Sequence, residues 1–231
     1  MTEFEKALTK AKKFVSQITR EIHLIQTLLD HGQIPAAYGA ALNLEQYSER
    51  LTLLTRTLPA YTGNPAAKYD VEQIMEEEIP VDIGYTAEGW FSVRLPALLP
   101  KKESGSPSYI RSCLYPAMQK FFARSPPVRY EDCVLVFRHI YNRERPERQY
   151  RDHDNIEVNM AADIVSLYVL RDDAPMKCCH YYCTAVGNTD RTEIYVVPKR
   201  DFPRWFILEK ILPEEGEKLH EIPLFESKKD M

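Results

Sequence analysis

Arg151-Asp152-His153-Asp154-Asn155 is the densest chemical stretch of the chain, and Asp172-Asp173 follows about twenty residues later. If the first stretch is extended, alternation puts the Asp152 and Asp154 carboxylates on one face and His153 on the other. Carboxylate oxygens are the hard ligands that Mg²⁺ prefers, with water and phosphate completing its octahedron. A plainer reading makes the same residues a surface turn in which Asn155 caps a helix. Asp173 is the third acid. A helix of about 16 residues separates it from the pair, a span of ~24 Å at ~1.5 Å per residue. It rejoins them only if that helix packs back across a sheet or if two subunits share the site.

Working outward, residues 133–141 are the most strand-like run, Cys133-Val134-Leu135-Val136-Phe137 leading into Arg138-His139-Ile140-Tyr141. Four arginines follow, Arg143, Arg145, Arg148 and Arg151, a basic run that leads into the aspartates. Residues 155–170 read as a helix with core positions Ile156, Met160, Ile164, Leu167 and Tyr168. Residues 181–186 and 192–197 read as strands of a hairpin around Gly187-Asn188-Thr189-Asp190-Arg191. Phe202, Trp205, Phe206, Ile207 and Leu212 supply apolar surface for packing, and residues 226–231 are expected to be disordered. Upstream lie strands at 81–85 and 90–95, the second ended by Pro96, then a polar loop. A helix over 109–123 is expected to kink or restart at Pro116 and to break at Ser125-Pro126-Pro127.

The first sixty residues differ in kind. Phe4, Leu8, Ala11, Val15, Ile18, Ile22, Ile25 and Leu29 step by fours and threes, a heptad seam. Gly32 suits a left-handed cap, and Pro35 suits the first turn of a second helix. That helix would bury Ala37, Ala40, Leu44, Tyr47, Leu51, Leu54 and Leu58. The short connection predicts an antiparallel hairpin that packs on another copy, on the main domain or on a partner. Residues 59–65 read as a linker and 69–78 as a short acidic helix whose Glu76-Glu77-Glu78 face is solvated.

The chain has 231 residues and a net charge of −4, so there is no global basic signal for nucleic acid. No apolar run approaches a membrane span and residues 1–6 have no apolar signal core, which predicts a cytoplasmic protein. Five cysteines, an odd number, do not suggest a disulfide framework. Cys178-Cys179-His180 with Cys183 has poor zinc spacing, and Cys183 reads as core. Neither GxGxxG nor a P-loop occurs.

The element order predicts an α+β fold with a mixed, mostly antiparallel sheet and packed helices, preceded by a helical coiled-coil hairpin. The expected parts are the hairpin (1–60), linker and acidic helix (61–80), α+β domain (81–212) and C-terminal tail (213–231).

Residues 88–198 resemble the RusA family of Holliday-junction resolvases. That family has a basic run, Arg-Asp-x-Asp-Asn, a helix, and an Asp-Asp pair. Arg151, Asp152, Asp154, Asn155, Asp172 and Asp173 stand in this pattern, with 21 residues from Asp152 to Asp173. The resemblance implies a RusA-like fold and a homodimeric, Mg²⁺-dependent endonuclease that cuts branched DNA. Carried over, Asp152, Asp154 and Asp173 would hold the metal, and Arg143, Arg145, Arg148 and Arg151 would contact DNA. Asn155, Asn159, Asp163 and Asp172 would support them from behind. The family has a lysine four residues after the second aspartate, where this chain has Val158. The alternative is therefore a relative that keeps the fold without cutting, a DNA-binding or assembly factor of a mobile element.

Overall fold

The computed structural model describes residues 2–103, 105–124, 128–147, 150–214 and 216–223. Two compact units divide between Ile74 and Met75, within the acidic helix α3 (Ala67–Glu78).

The first unit is built on α1 (Glu3–Asp30) and α2 (Ile34–Thr57). Thr2 and Glu5 form a reciprocal capping box at the start of α1, satisfying two backbone donors that a helix end leaves open. Gly32, at φ 68°, provides the left-handed residue of the connection. The α2 seam is as expected: Ala37 and Ala40 are buried, and Leu44, Tyr47, Leu51, Leu54 and Leu58 half-buried. The α1 seam is rotated from the expected one. Its inner side carries Ala7, Ala11, Ile18, Glu21, Ile25 and Leu28, whereas Phe4, Leu8, Val15, Ile22 and Leu29 are 37–51% exposed. Ala7, Ala11, Ala37 and Ala40 are the buried apolar residues of the two helices, and such small side chains let helices approach closely. The linker expected over 59–65 begins as a 3₁₀ turn, Leu58–Thr62.

The second unit is a five-stranded sheet. β1 (Asp82–Tyr85), β2 (Phe91–Leu95), β3 (Cys133–Asn142), β4 (Cys178–Gly187) and β5 (Arg191–Pro198) lie in the order β1-β2-β5-β3-β4. β3 and β4 are parallel and every other pairing is antiparallel. The hairpin expected between β4 and β5 does not form. β3 lies between them, pairing with both. The turn after β4 spans the end of β3, where Asp190 Oδ1 accepts the Asn142 N–H at 2.8 Å. Both flanking strands thus satisfy β3, the most apolar strand, which has nine buried residues out of ten.

One sheet face is covered by α4 (Ser106–Phe122) and α5 (Asn159–Val169). Phe91 stacks on Phe122, which stacks in turn on Tyr168 of α5, at 5.6 and 5.3 Å between centroids. α4 runs through Pro116 as one helix, in place of the expected kink or restart. The break at 125–127 and the tail at 226–231 lie outside the described residues.

The other face carries α6 (Phe202–Leu208), whose Trp205 is buried against Val134, Val136, Tyr195 and Val197. Phe202 and Leu212 pack there as expected, but Phe206 and Ile207 stay exposed. The segment expected to be tail begins as part of the domain: His220 bridges Tyr85, extending the β1 edge. Gly84 permits this approach, because a Cβ there would meet the His220 carbonyl at 2.8 Å.

Candidate functional site

Asp152 is extended, but His153–Asn155 forms a 3₁₀ turn, so the two aspartates do not alternate along a strand. The turn is held by the residue between them. His153 Nε2 lies 3.0 Å from Thr184 Oγ1, and its ring stacks at 5.8 Å on Tyr182. The Arg151 N–H donates to the Tyr141 hydroxyl at 2.9 Å. Asp152 and Asp154 are therefore displayed outward at the far end of β3 and β4, both exposed.

Asp173 is at the other end. Tyr130, before β3, bridges Leu170, and the Arg171 N–H donates to the Tyr130 carbonyl at 2.9 Å. Cys178 then starts β4 opposite Cys133, whereas Thr184, which holds His153, is opposite His139. At ~3.3 Å per residue, these positions on the ladder are ~20 Å apart. Helix α5 carries the chain back along the sheet, as a parallel connection requires. Within one chain Asp152 and Asp154 are together and Asp173 is not with them. Direct Mg²⁺ ligands lie within ~2.1 Å of the ion, so the three carboxylates of a single chain do not form one shell. No group of three or more metal-ligating side chains occurs among the described residues.

The supporting residues have other tasks. Asn155 closes the 3₁₀ turn and does not cap α5, which starts at Asn159 with Val158 as its cap residue. Val158 is 3% exposed and belongs to the core. Asn159 and Asp163 are exposed on α5; Asp172 accepts the Ala174 N–H at 3.0 Å in a local turn. Within α5 the core is Ala161, Ala162, Ile164, Val165 and Val169, while the expected core residue Leu167 is 60% exposed.

The arginine run is engaged within the chain. Arg143 Nη2 contacts both Glu214 oxygens at 2.7 Å. Arg145 pairs with Asp190, and Arg151 donates through Nη1 to the Leu99 carbonyl. Burial raises the Asp190 carboxyl, but the Arg145 hydrogen bond and the Asn142 N–H outweigh it and hold the group below its usual range. Arg148 lies outside the described residues.

A second constellation was not anticipated. Across one sheet face the register sets Asp82, Arg94, Glu193 and Arg138 side by side on β1, β2, β5 and β3. Arg138 Nη1 and Arg191 Nε donate to opposite oxygens of Glu193, each at 2.9 Å, and the Tyr195 hydroxyl donates at 2.9 Å. Glu193 is fully buried; burial raises its carboxyl, but Arg138 and Arg191 bring it below the usual range. Arg94 Nε and Nη2 and Arg138 Nε are buried without a hydrogen-bond partner among the described residues. The sequence signal was a charge inside the apolar strands β2, β3 and β5 (Arg94, Arg138 and Glu193), a sign that a buried partner is required. Chemically the row fixes register: a one-residue slip of β5 would turn Glu193 to the other face.

The molecule thus joins a helical hairpin to an α+β unit whose buried carboxylate, Glu193, is paired with Arg138 and Arg191, and whose exposed Asp173 stands apart from Asp152 and Asp154. The chain belongs to the family of unknown function DUF6100, whose model matches residues 1–222 and so takes in both units. Comparison with curated proteins and with solved structures gave no match. Among the described residues no helix is long and apolar enough to cross a membrane.

Proposed function

We propose that this protein is a non-catalytic assembly factor: an α+β unit resembling the RusA resolvases without a working metal centre, brought together as a homodimer by its helical hairpin. The observation that carries the reading is the ~20 Å between the ladder positions of the Asp152–Asp154 turn and the Asp173 turn. Val158, buried in the place of the resolvase lysine, and Arg143, Arg145 and Arg151, engaged inside the chain, support it. For self-association the support is the outward stripe of α1. Phe4, Leu8, Val15, Ile22 and Leu29 are exposed, and the last four repeat every seven residues, the spacing of a coiled-coil seam.

The test is incubation of the full chain with a synthetic four-way DNA junction and Mg²⁺. The expected result is no cleavage. Cutting that Asp152→Asn abolishes would overturn the proposal in favour of the second reading, a Mg²⁺-dependent endonuclease acting on branched DNA. That reading needs Asp173 of the partner subunit beside Asp152 and Asp154. What favours it is that all three carboxylates are exposed and open to such an approach.

A further inference from the structure

We propose that Cys133 and Cys178 form a peroxide-reactive dithiol that closes to a disulfide between β3 and β4. The two residues are direct partners in the parallel ladder, so their side chains lie on the same sheet face. Neighbouring strands run ~4.8 Å apart, inside the ~4.4–6.8 Å Cα separation that disulfides span. His180 follows two residues along β4 on the same face, and the Cys178 Sγ lies 3.9 Å from the Cys179 carbonyl.

This arrangement polarises the pair. The neighbouring Cys133 thiol lowers Cys178 most; burial opposes it, and His180 and the Leu135 backbone add to the lowering, so Cys178 is held below the usual thiol range. Cys133 is pushed up by its neighbour Cys178 and by burial. Lys199 and Asp132 are the other charged groups near Cys133, and they pair with each other at 2.6 Å. The thiolate is the nucleophile, so the partner whose thiol is lowered, Cys178, attacks first. Cys178 is 6% exposed and Cys133 1%, which selects a small oxidant and directs it to Cys178 first.

The steps balance. The Cys178 thiolate attacks one oxygen of a hydroperoxide; an S–O bond forms, the O–O bond breaks, and the departing alkoxide or hydroxide takes a proton from water. The Cys133 thiol then attacks the Cys178 sulfenic sulfur. An S–S bond forms, the S–O bond breaks, and the hydroxide leaves as water with the Cys133 proton. The dithiol loses two electrons, and the peroxide is reduced to an alcohol (or water) and water.

The experiment treats the full chain with hydrogen peroxide, blocks free thiols with N-ethylmaleimide in denaturant, and maps tryptic peptides. Peptide 130–138 should be joined to peptide 178–191 through Cys133 and Cys178, with the protein two hydrogens lighter and restored by dithiothreitol. The link should persist in Cys179→Ser, which removes the exposed neighbouring thiol. It should vanish in Cys133→Ser, where dimedone traps sulfenic acid on Cys178. Alkylation of both Cys133 and Cys178 after peroxide, a link through Cys179 or Cys183 instead, or Cys178 sulfinic acid beside free Cys133 would each overturn the proposal. If Cys133→Ser does not fold, the wild-type map decides alone.

Discussion

Arg138 and Glu193 face each other from β3 and β5 with Nη1 and Oε2 2.9 Å apart, both inside the second unit. The carboxylate takes a second guanidinium from Arg191 and a hydroxyl from Tyr195, so its oxygens are shared among three donors. Such a pair holds because each charge is compensated; removing one partner strands the others in a poorly solvated interior.

Glu193→Gln should therefore destabilise the protein by about 3–5 kcal/mol. Urea unfolding followed by tryptophan fluorescence would measure it, since Trp205 packs on Tyr195 of the same face. A loss under about 1 kcal/mol, the range of exposed ion pairs, would mean that the charges reach water.

His139 gives a pH dependence. Burial, then His153 and Arg151, lowers it to about 4 from an ordinary 6.5. The folded state therefore prefers neutral imidazole. Its contribution is present above pH 6.5, is lost as pH falls toward 4, and amounts to a few kcal/mol at ~1.4 kcal/mol per pH unit. Thermal melts of the wild type should fall across that window, and those of His139→Gln should fall less.

Glu217 acts in the opposite direction. Burial and Glu88 raise it to about 7 from 4.5, with Arg94 opposing. The folded state prefers the protonated acid, so this contribution is present below pH 4.5 and is lost as pH rises through 7. Glu217→Gln should raise the melting temperature at pH 8 and leave it nearly unchanged at pH 4. An equal shift at both would show that charge is not the cause.

Val158→Lys supplies the positive charge of the resolvase pattern, but at a position 3% exposed. The expected result is a loss of at least about 2 kcal/mol from burying an unpaired ammonium, and no junction cleavage. A stable variant that cuts would restore the enzyme reading.

For the hairpin, Val15→Glu with Ile22→Glu changes two residues that are 50% and 51% exposed and so leaves the contacts between α1 and α2 in place. Light scattering should show the wild-type dimer becoming monomer, with helix content unchanged by circular dichroism. A wild type that is monomeric at the outset would remove the dimer from the proposal.

Local chemistry was legible wherever a residue's surroundings are its own neighbours in the chain. Short runs of β-branched and aromatic residues marked all five strands, and Gly32 and Pro35 marked the hairpin turn, because backbone sterics act over a few residues. The acidic stretch was visible too, as were the arginines around it. Heptad spacing was visible in α1, but not which of two adjacent stripes its partner helix takes, since that depends on how closely the helices approach.

By itself, then, the sequence determined the class, a helical hairpin followed by an α+β unit, and which residues carry charge. Only the tertiary structure decided who meets whom. β3 came between β4 and β5 because the most apolar strand gains most from neighbours on both sides. That order sends α5 back along the sheet, parting Asp173 from Asp152 and Asp154. The same order sets Cys133 beside Cys178, and Arg138 beside Glu193. Proximity across a sheet is a property of strand order, and strand order is settled by the burial of whole strands, which no spacing within a short stretch records.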